Sequence, residues 1–443
     1  MNLRITKLLG ILTLSFSTLA QQELSATQAV FLALENNFQI QISERQLTVS
    51  EMNNAWGEAG LFPVVTLNVA QNNTIQDNTN NPFTFTPGII LTQSINPSLG
   101  LDWNIFSGFQ VRMSKQRLEQ LEEQSANNVV TLIEATIQDV LKAYYTVQLQ
   151  QERLSLFSSV MALSRRRMQY YELKEKYSTS SSLELLQFKN QYLTDSTNYR
   201  MQAISLDNAV RNLHLLMNNP DENVTYVLTD DLNVLLSELD RARAMEEMVA
   251  NNANLKNQYI ALELQKTNTS FRRSFLYPTL SFQAGVQPGW SHIREIKNDS
   301  FDAQTSALSY YGNFNLRYTL FNNWKNKRAV EVSKIQEEIA GLNIDQMKET
   351  LSTTLDNLFD LYQARQDLLN ISQENMIYAE KAFELAEKRF ALGTLNSVDL
   401  SSFQNSYQNT LMQHLENLFN RLDTYLEIYK LTGKISLEYQ QTN

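Results

Sequence analysis

The 443-residue chain has no cysteine, only 12 glycines, 7 prolines and 3 histidines. Disulfides, thiol chemistry and lipid attachment at an N-terminal cysteine are therefore excluded. His214, His292 and His414 are far apart in sequence and form no cluster at ligand spacing. A Gly-rich phosphate loop and a nucleophile elbow are also missing, so an enzyme is not expected and no cofactor is implied. No Lys/Arg cluster is present and acids outnumber bases, 47 to 37, which argues against nucleic acid as a partner. No stretch beyond the N-terminus approaches the roughly 18 apolar residues of a membrane-spanning helix, so entry into a membrane would require a closed β-barrel.

Residues 1–20 read as a secretory signal. Arg4 and Lys7 supply the positive start, Leu8 to Phe16 a short apolar core, and Thr18-Leu19-Ala20 a small-residue cleavage site. Removing them leaves 35 basic and 47 acidic residues, a net charge of −12.

The scarcity of glycine and proline is uneven. Phe109 to Asn219 contains neither, and a second, nearly uninterrupted run follows about 215 residues later. Val129, Ile133, Ile137, Val140, Tyr144, Val147, Leu154, Phe157 and Met161 recur at helical spacing in the first run. Ile335, Ile339, Leu342, Leu351, Leu355, Leu358, Tyr362 and Leu369 do so in the second. Long helices are expected over about 108–176 and 322–390, each roughly 100 Å at 1.5 Å per residue. Return helices follow near 183–218 and 397–432. Tyr144 reads as packing within such a stripe.

The chain reads as one unit written twice, residues 21–238 and 239–443. A shift of 215 places Asn36-Asn37 on Asn251-Asn252, Leu61-Phe62-Pro63 on Leu276-Tyr277-Pro278, Phe106 on Phe321, Tyr144 on Phe359 and Leu216 on Leu431. Each copy opens with a helix of moderate length. Ser25, with Gln28 three residues on, makes a capping box, and Asp240 is a good N-cap. Pro63 and Pro278 then open strands. Strands are expected at about 62–72, 98–107, 277–287 and 310–321, because apolar and polar residues alternate there, as in Leu99, Leu101, Trp103 and Ile105 against Asp102 and Asn104. Their length suits tilted membrane strands, and Phe62, Trp103, Phe106, Tyr277, Trp290, Tyr310, Phe321 and Trp324 suit an aromatic girdle. Residues 72–97 and 288–308 read as exposed polar loops. Four strands cannot close a barrel, so several chains must share one; two would give eight strands with a filled interior, three would give twelve with room for a conduit.

At this point the chain resembles the TolC family of outer-membrane efflux and secretion channels. The resemblance covers essentially the whole mature chain. It rests on the duplicated strand–strand–long helix–return helix order, on the two strand-opening tripeptides, and on Trp103-Asn104-Ile105-Phe106-Ser107-Gly108 leading into a helix. Its most specific segment is Arg389-Phe390-Ala391-Leu392-Gly393-Thr394-Leu395-Asn396-Ser397-Val398-Asp399-Leu400, similar to the family's second periplasmic turn. The resemblance implies a mainly α protein with a transmembrane β-barrel contribution: a homotrimer with a twelve-stranded barrel in outer-membrane lipid and a long α-helical barrel crossing the periplasm. It implies a periplasmic adaptor (membrane fusion) protein and an inner-membrane pump or ABC transporter as partners, docking at the tip that carries Leu392, Gly393 and Thr394. Phe390 and Asp399 match the positions that close the family's periplasmic gate, and Glu184 is the first-copy equivalent of Asp399.

Asp399 and Glu184 also have a simpler reading, as acids in the first turn of a helix that complement its dipole. The chain departs from the family where Phe390 lacks a tyrosine hydroxyl, and where Leu395 and Ser402 replace an Arg and a second Asp of some members. The first turn, Ser178 to Ser182, is shorter and has no glycine. The striped helices alone would also suit a periplasmic coiled-coil adaptor without a pore, which would have no amphipathic strand pairs.

Overall fold

The computed structural model describes residues 22–85, 87–177, 182–218, 226–297 and 301–436. The signal segment and Ser178–Ser181 of the first turn lie outside the described residues. The elements, in order, are β1 (Gln22–Leu24), α1 (Ala26–Asn36), α2 (Phe38–Asn53), β2 (Val64–Asp77), β3 (Ile89–Ser107), α3 (Gln110–Lys176), α4 (Ser182–Met217), β4 (Tyr226–Leu228), α5 (Arg241–Asn251), α6 (Ala253–Ser274), β5 (Thr279–Glu295), β6 (Asp302–Arg317), α7 (Lys325–Ala391) and α8 (Ser397–Leu431). The order β-α-α-β-β-α-α occurs twice. The chain divides into two compact units: residues 1–41, 132–252 and 351–443 form one, residues 42–131 and 253–350 the other.

The first unit is helical with one short parallel pair, β1 with β4. Its core gathers Ala29, Val30 and Ala33 of α1, Ile137, Val140, Leu141 and Tyr144 of α3, Leu213 and Met217 of α4, and Leu418, Leu422 and Leu426 of α8. The apolar spacing of α3 thus becomes a buried stripe. Tyr144 is fully buried, and its hydroxyl donates to Leu24 O (2.9 Å) and accepts from the N–H groups of Thr229 and Asp230 (3.2 Å each). One side chain thereby satisfies three backbone groups around β1 and β4.

The expected single opening helix is in both cases two. Asn37 and Asn252 sit between the halves with ψ of 117° and 116°, which ends α1 and α5. Asn37 Oδ1 then accepts from the N–H groups of Gln39 (2.8 Å) and Ile40 (3.2 Å), starting α2 as a capping side chain. Ser25 makes the capping box with Gln28, and Asp240 accepts from Arg243 N. After the return helices, Asn218 and Gly433 take left-handed conformations, φ 45° and 69°. Asn218 Nδ2 donates to Asn36 O at 2.9 Å, and a side chain at Gly433 would start 2.8 Å from Asn251 O. Asn218 and Gly433 are 215 residues apart, as are Asn36 and Asn251.

The second unit holds a four-stranded antiparallel sheet in the order β2-β3-β5-β6. Its strands run further than expected. Residues 72–77, 89–97, 288–295 and 302–308, read as loops from their Asn, Gln, Ser and Thr content, are paired strand. Ladder bonds satisfy the backbone whatever the side chains, so polar strand ends read as loops. The register separates two faces. Val65, Leu101 and Ala284 share one face with Leu67, Leu99, Val286 and Tyr310; Thr66, Gly100, Gly285 and Tyr311 share the other with Asn68, Ser98, Gln287 and Ser309. The apolar face is bare: Leu67, Tyr310 and Phe314 are each at least 70% exposed. Between Ile95–Trp290 and Leu99–Val286 the β3–β5 ladder skips, where Pro97 and Pro288 bring no N–H.

Candidate functional site at the helical turns

The helices of the first unit end in two turns, and the described one, between α7 and α8, is built by its backbone. Gly393 takes φ 72°, its N–H donates to Phe390 O (2.9 Å), and Thr394 N donates to Arg389 O (2.9 Å). These bonds close α7 on a left-handed glycine. The Thr394 hydroxyl adds a third to Arg389 O (3.0 Å). Asn396 then caps α8: its Oδ1 accepts from Asp399 N at 2.8 Å, and its Nδ2 donates to Asp399 Oδ2 at 2.9 Å. Asp399 is exposed and engaged in this reciprocal cap. Leu392 and Val398 project into solvent, 79% and 61% exposed.

Phe390 lies inward of the turn. Its ring is half-buried against Tyr171 of α3 (6.2 Å between centroids) and Phe188 of α4 (6.0 Å), which themselves pack at 4.5 Å. The second turn's aromatic thus joins the first hairpin of the same chain. Burial first, then the negative charge of Glu184, holds the Tyr171 hydroxyl above its usual range. The structure therefore brings Phe390 and Glu184 to one aromatic cluster through Tyr171, while Asp399 serves the α8 cap.

One turn of helix further in, sequence reasoning missed a polar knot. Arg167 of α3 donates to Gln404 Oε1 of α8 (2.5 Å) and to Glu387 Oε1 of α7 (2.7 Å). Asp195 of α4 is 2% exposed and takes one bond from Gln191 Nε2 (2.9 Å). Burial pushes the Asp195 carboxyl up, offset in part by Ser164, Gln191 and the charge of Arg167, and it pulls the Arg167 guanidinium down, offset in part by the charge of Glu387. The spacing carried a signal. Val160, Ser164, Arg167 and Tyr171 follow the buried stripe of α3, and Leu185, Phe188, Asp195 and Gln202 that of α4, so both charges stand at core positions.

The remaining expected residues lie in the second unit. Trp103 is in β3 and donates from Nε1 to Leu61 O (3.0 Å). Phe106 and Tyr277 both pack edge-on with Phe109, at 5.3 and 5.9 Å between centroids. Phe62 precedes β2, and Phe321 follows β6 with its ring edge-on to Trp324 (5.9 Å). All five cluster at the sheet end that leads into α3 and α7. Among the described residues there is no group of three metal-ligating side chains, and no helix is long and apolar enough to cross a membrane.

Residues 244–434 match the family described as outer membrane efflux protein. No curated protein matches the chain. Among solved structures, CusC is similar at a TM-score of 0.73 and 14% identity, over 92% of each chain. A membrane protein from Pseudomonas aeruginosa is similar at 0.74 and 13%, over 92% of this chain and 90% of that one. The CmeC outer membrane channel of Campylobacter jejuni is similar at 0.71 and 14%, over 94% and 88%. The shared fold extends over nine-tenths of the chain, and the sequence match to the outer membrane efflux protein family covers residues 244–434 of it.

Proposed function

We propose that the protein is the passive conduit of a tripartite efflux pump or type I secretion system, assembled as a homotrimer. The unpaired edges of the sheet carry the proposal. β2 and β6 each have one neighbour in the four-stranded order, which leaves edges of 14 and 16 residues beside a bare apolar face. In lipid such an edge must be paired, because no water satisfies its N–H and C=O groups. Pairing β6 of one copy with β2 of the next is a head-to-tail contact that closes into a ring. Three copies give twelve strands and a water-filled bore.

The first unit supports the same assembly. Leu361, Leu368, Ile371, Tyr378 and Leu385 of α7 are exposed at spacings of 7, 3, 7 and 7, a coiled-coil seam without a partner among the described residues. Leu186, Leu193, Met201 and Ile204 of α4 are exposed likewise. The repeated element order and the paired left-handed residues Asn218 and Gly433 support an internal tandem duplication.

In this reading Leu392, Gly393 and Thr394 form the end that docks a periplasmic adaptor, which links the conduit to an inner-membrane pump or ABC transporter. Phe390, Asp399 and Glu184 form the periplasmic gate. Phe62, Trp103, Phe106, Tyr277 and Phe321 form the inner girdle. A poreless adaptor is disfavoured by the amphipathic sheet.

Electron microscopy and planar-bilayer recording on the detergent-extracted mature protein test the proposal. A threefold particle that conducts ions is the expected result. A soluble, non-conducting monomer would overturn it.

A further inference from the structure

The strand ends furthest from the helices carry a cavity of 550 Å³ that draws on all four long strands. Gln71, Ile95, Trp290 and Ser306 form one cross-strand row of its lining, and Gln93, His292 and Gln304 the next. Alternation puts both rows on the face that carries Leu67, Leu99, Val286 and Tyr310. The cavity therefore opens where the apolar band gives way to amides and hydroxyls, just beyond the ladder skip at Pro97 and Pro288.

The lining is aromatic and polar but carries no fixed charge. Trp290 is 52% exposed, and Ile95 beside it is 47% exposed. His292 Nε2 is hydrogen-bonded to Asp302 Oδ1 at 2.7 Å, and Gln93 Nε2 donates to Asn73 Oδ1 at 3.3 Å. Arg294, one row beyond, stands opposite Asp302 in the ladder. A phosphate or carboxylate headgroup would meet no cation in the lining. A sugar ring presents an apolar C–H face, which an indole can cover, and a rim of hydroxyls that both donate and accept. Glutamine amides and serine hydroxyls also do both. An amphiphile whose tails lie along the apolar band would deliver its headgroup into this cavity.

We propose that the cavity binds the uncharged sugar headgroup of a membrane glycolipid, with the ring stacked on Trp290 and its hydroxyls held by Gln71, Gln93 and Gln304. The proposal rests on the conduit reading, because it needs the apolar face to lie in lipid.

The test is native mass spectrometry of the assembled protein released from vesicles that contain equal amounts of a dihexosyl diacylglycerol and a phosphatidylglycerol with the same tails. Wild-type protein should retain the glycolipid in preference. Trp290→Ala, and separately Gln93→Ala, should weaken retention roughly tenfold, with assembly mass and single-channel conductance unchanged. Equal retention of the two lipids, or undiminished retention by both variants, would overturn the proposal. So would displacement of the glycolipid by an equimolar free disaccharide, which would assign the cavity to soluble glycans. Loss of the conducting assembly in the wild-type protein would instead count against the conduit reading.

Discussion

The Tyr311 hydroxyl lies 2.6 Å from the point where a side chain on Gly285 would begin. It is 3.4 Å from the same point on Gly100, one strand further. The ring therefore lies flat on the polar face of the sheet, across two positions without side chains. An alanine at 285 would have to lift the ring and would press on Leu99 O, 2.7 Å away. Gly285→Ala should cost about 1–3 kcal/mol, seen as a lower melting temperature of the assembled protein. Tyr311→Ala should widen the bore and raise single-channel conductance. An unchanged conductance would mean that this face does not line the water-filled side.

Phe390 should act as an intrachain tie between the two hairpins. Removing its ring deletes contacts to Tyr171 and Phe188. For a half-buried aromatic, Phe390→Ala should cost about 2 kcal/mol, below the range for a fully buried one. Hydrogen exchange should accelerate at the ends of α3, α4 and α7 while the amides around Tyr144 keep their protection. Uniform protection would show that the ring contributes nothing to the closed turn.

Asp195 should make the helical tip sensitive to pH. Burial raises its folded-state pKa above that of the unfolded chain. A proton on Asp195 therefore favours the folded state: its contribution is present below the unfolded carboxylate value and is lost as pH rises through the folded value. Asp195→Asn should raise the melting temperature at pH 7–8, and the gain should vanish near pH 4. A fall at neutral pH would mean that attraction to Arg167 outweighs the cost of burial.

The parts of the fold that were legible in the sequence are those that a single element's pattern encodes. The stripe through Ile137, Val140 and Tyr144 marks a helix, and the alternation around Trp103 marks a strand. Patterns of that kind do not report what faces them across the fold. Phe390 gave no sign that it would meet Tyr171 and Phe188, about 200 residues earlier, and the turn motif drew attention to a gate instead. Arg167 stands on a buried stripe, but its partners Gln404 and Glu387 come from other helices, so the pattern of α3 alone does not show them. Polar strand ends such as Asn72-Asn73-Thr74 were invisible for the opposite reason. Their pairing is made by the backbone, which side-chain composition does not show.

Asp399 separates a structural role from an electrostatic one. Its carboxylate accepts from Asn396 Nδ2 and its N–H donates to Asn396 Oδ1, so it holds the first turn of α8. An asparagine keeps an oxygen at the same place for the Asn396 amide, so Asp399→Asn should leave the helix start almost intact, within about 0.5 kcal/mol. It removes the charge, which in a threefold ring would attract cations over about 8–10 Å. Asp399→Ala removes the charge and the bond from Asn396 Nδ2, leaving only the Asn396 Oδ1 cap on the residue 399 N–H, at a cost of about 1 kcal/mol. Reversal potentials in a salt gradient should therefore show the same loss of cation preference for both variants, while only Asp399→Ala lowers the melting temperature. If Asp399→Asn leaves the reversal potential where it was, the carboxylate serves the cap and does not face the conduit. If both variants lose stability equally, the charge at the helix start is what matters, through its interaction with the α8 dipole.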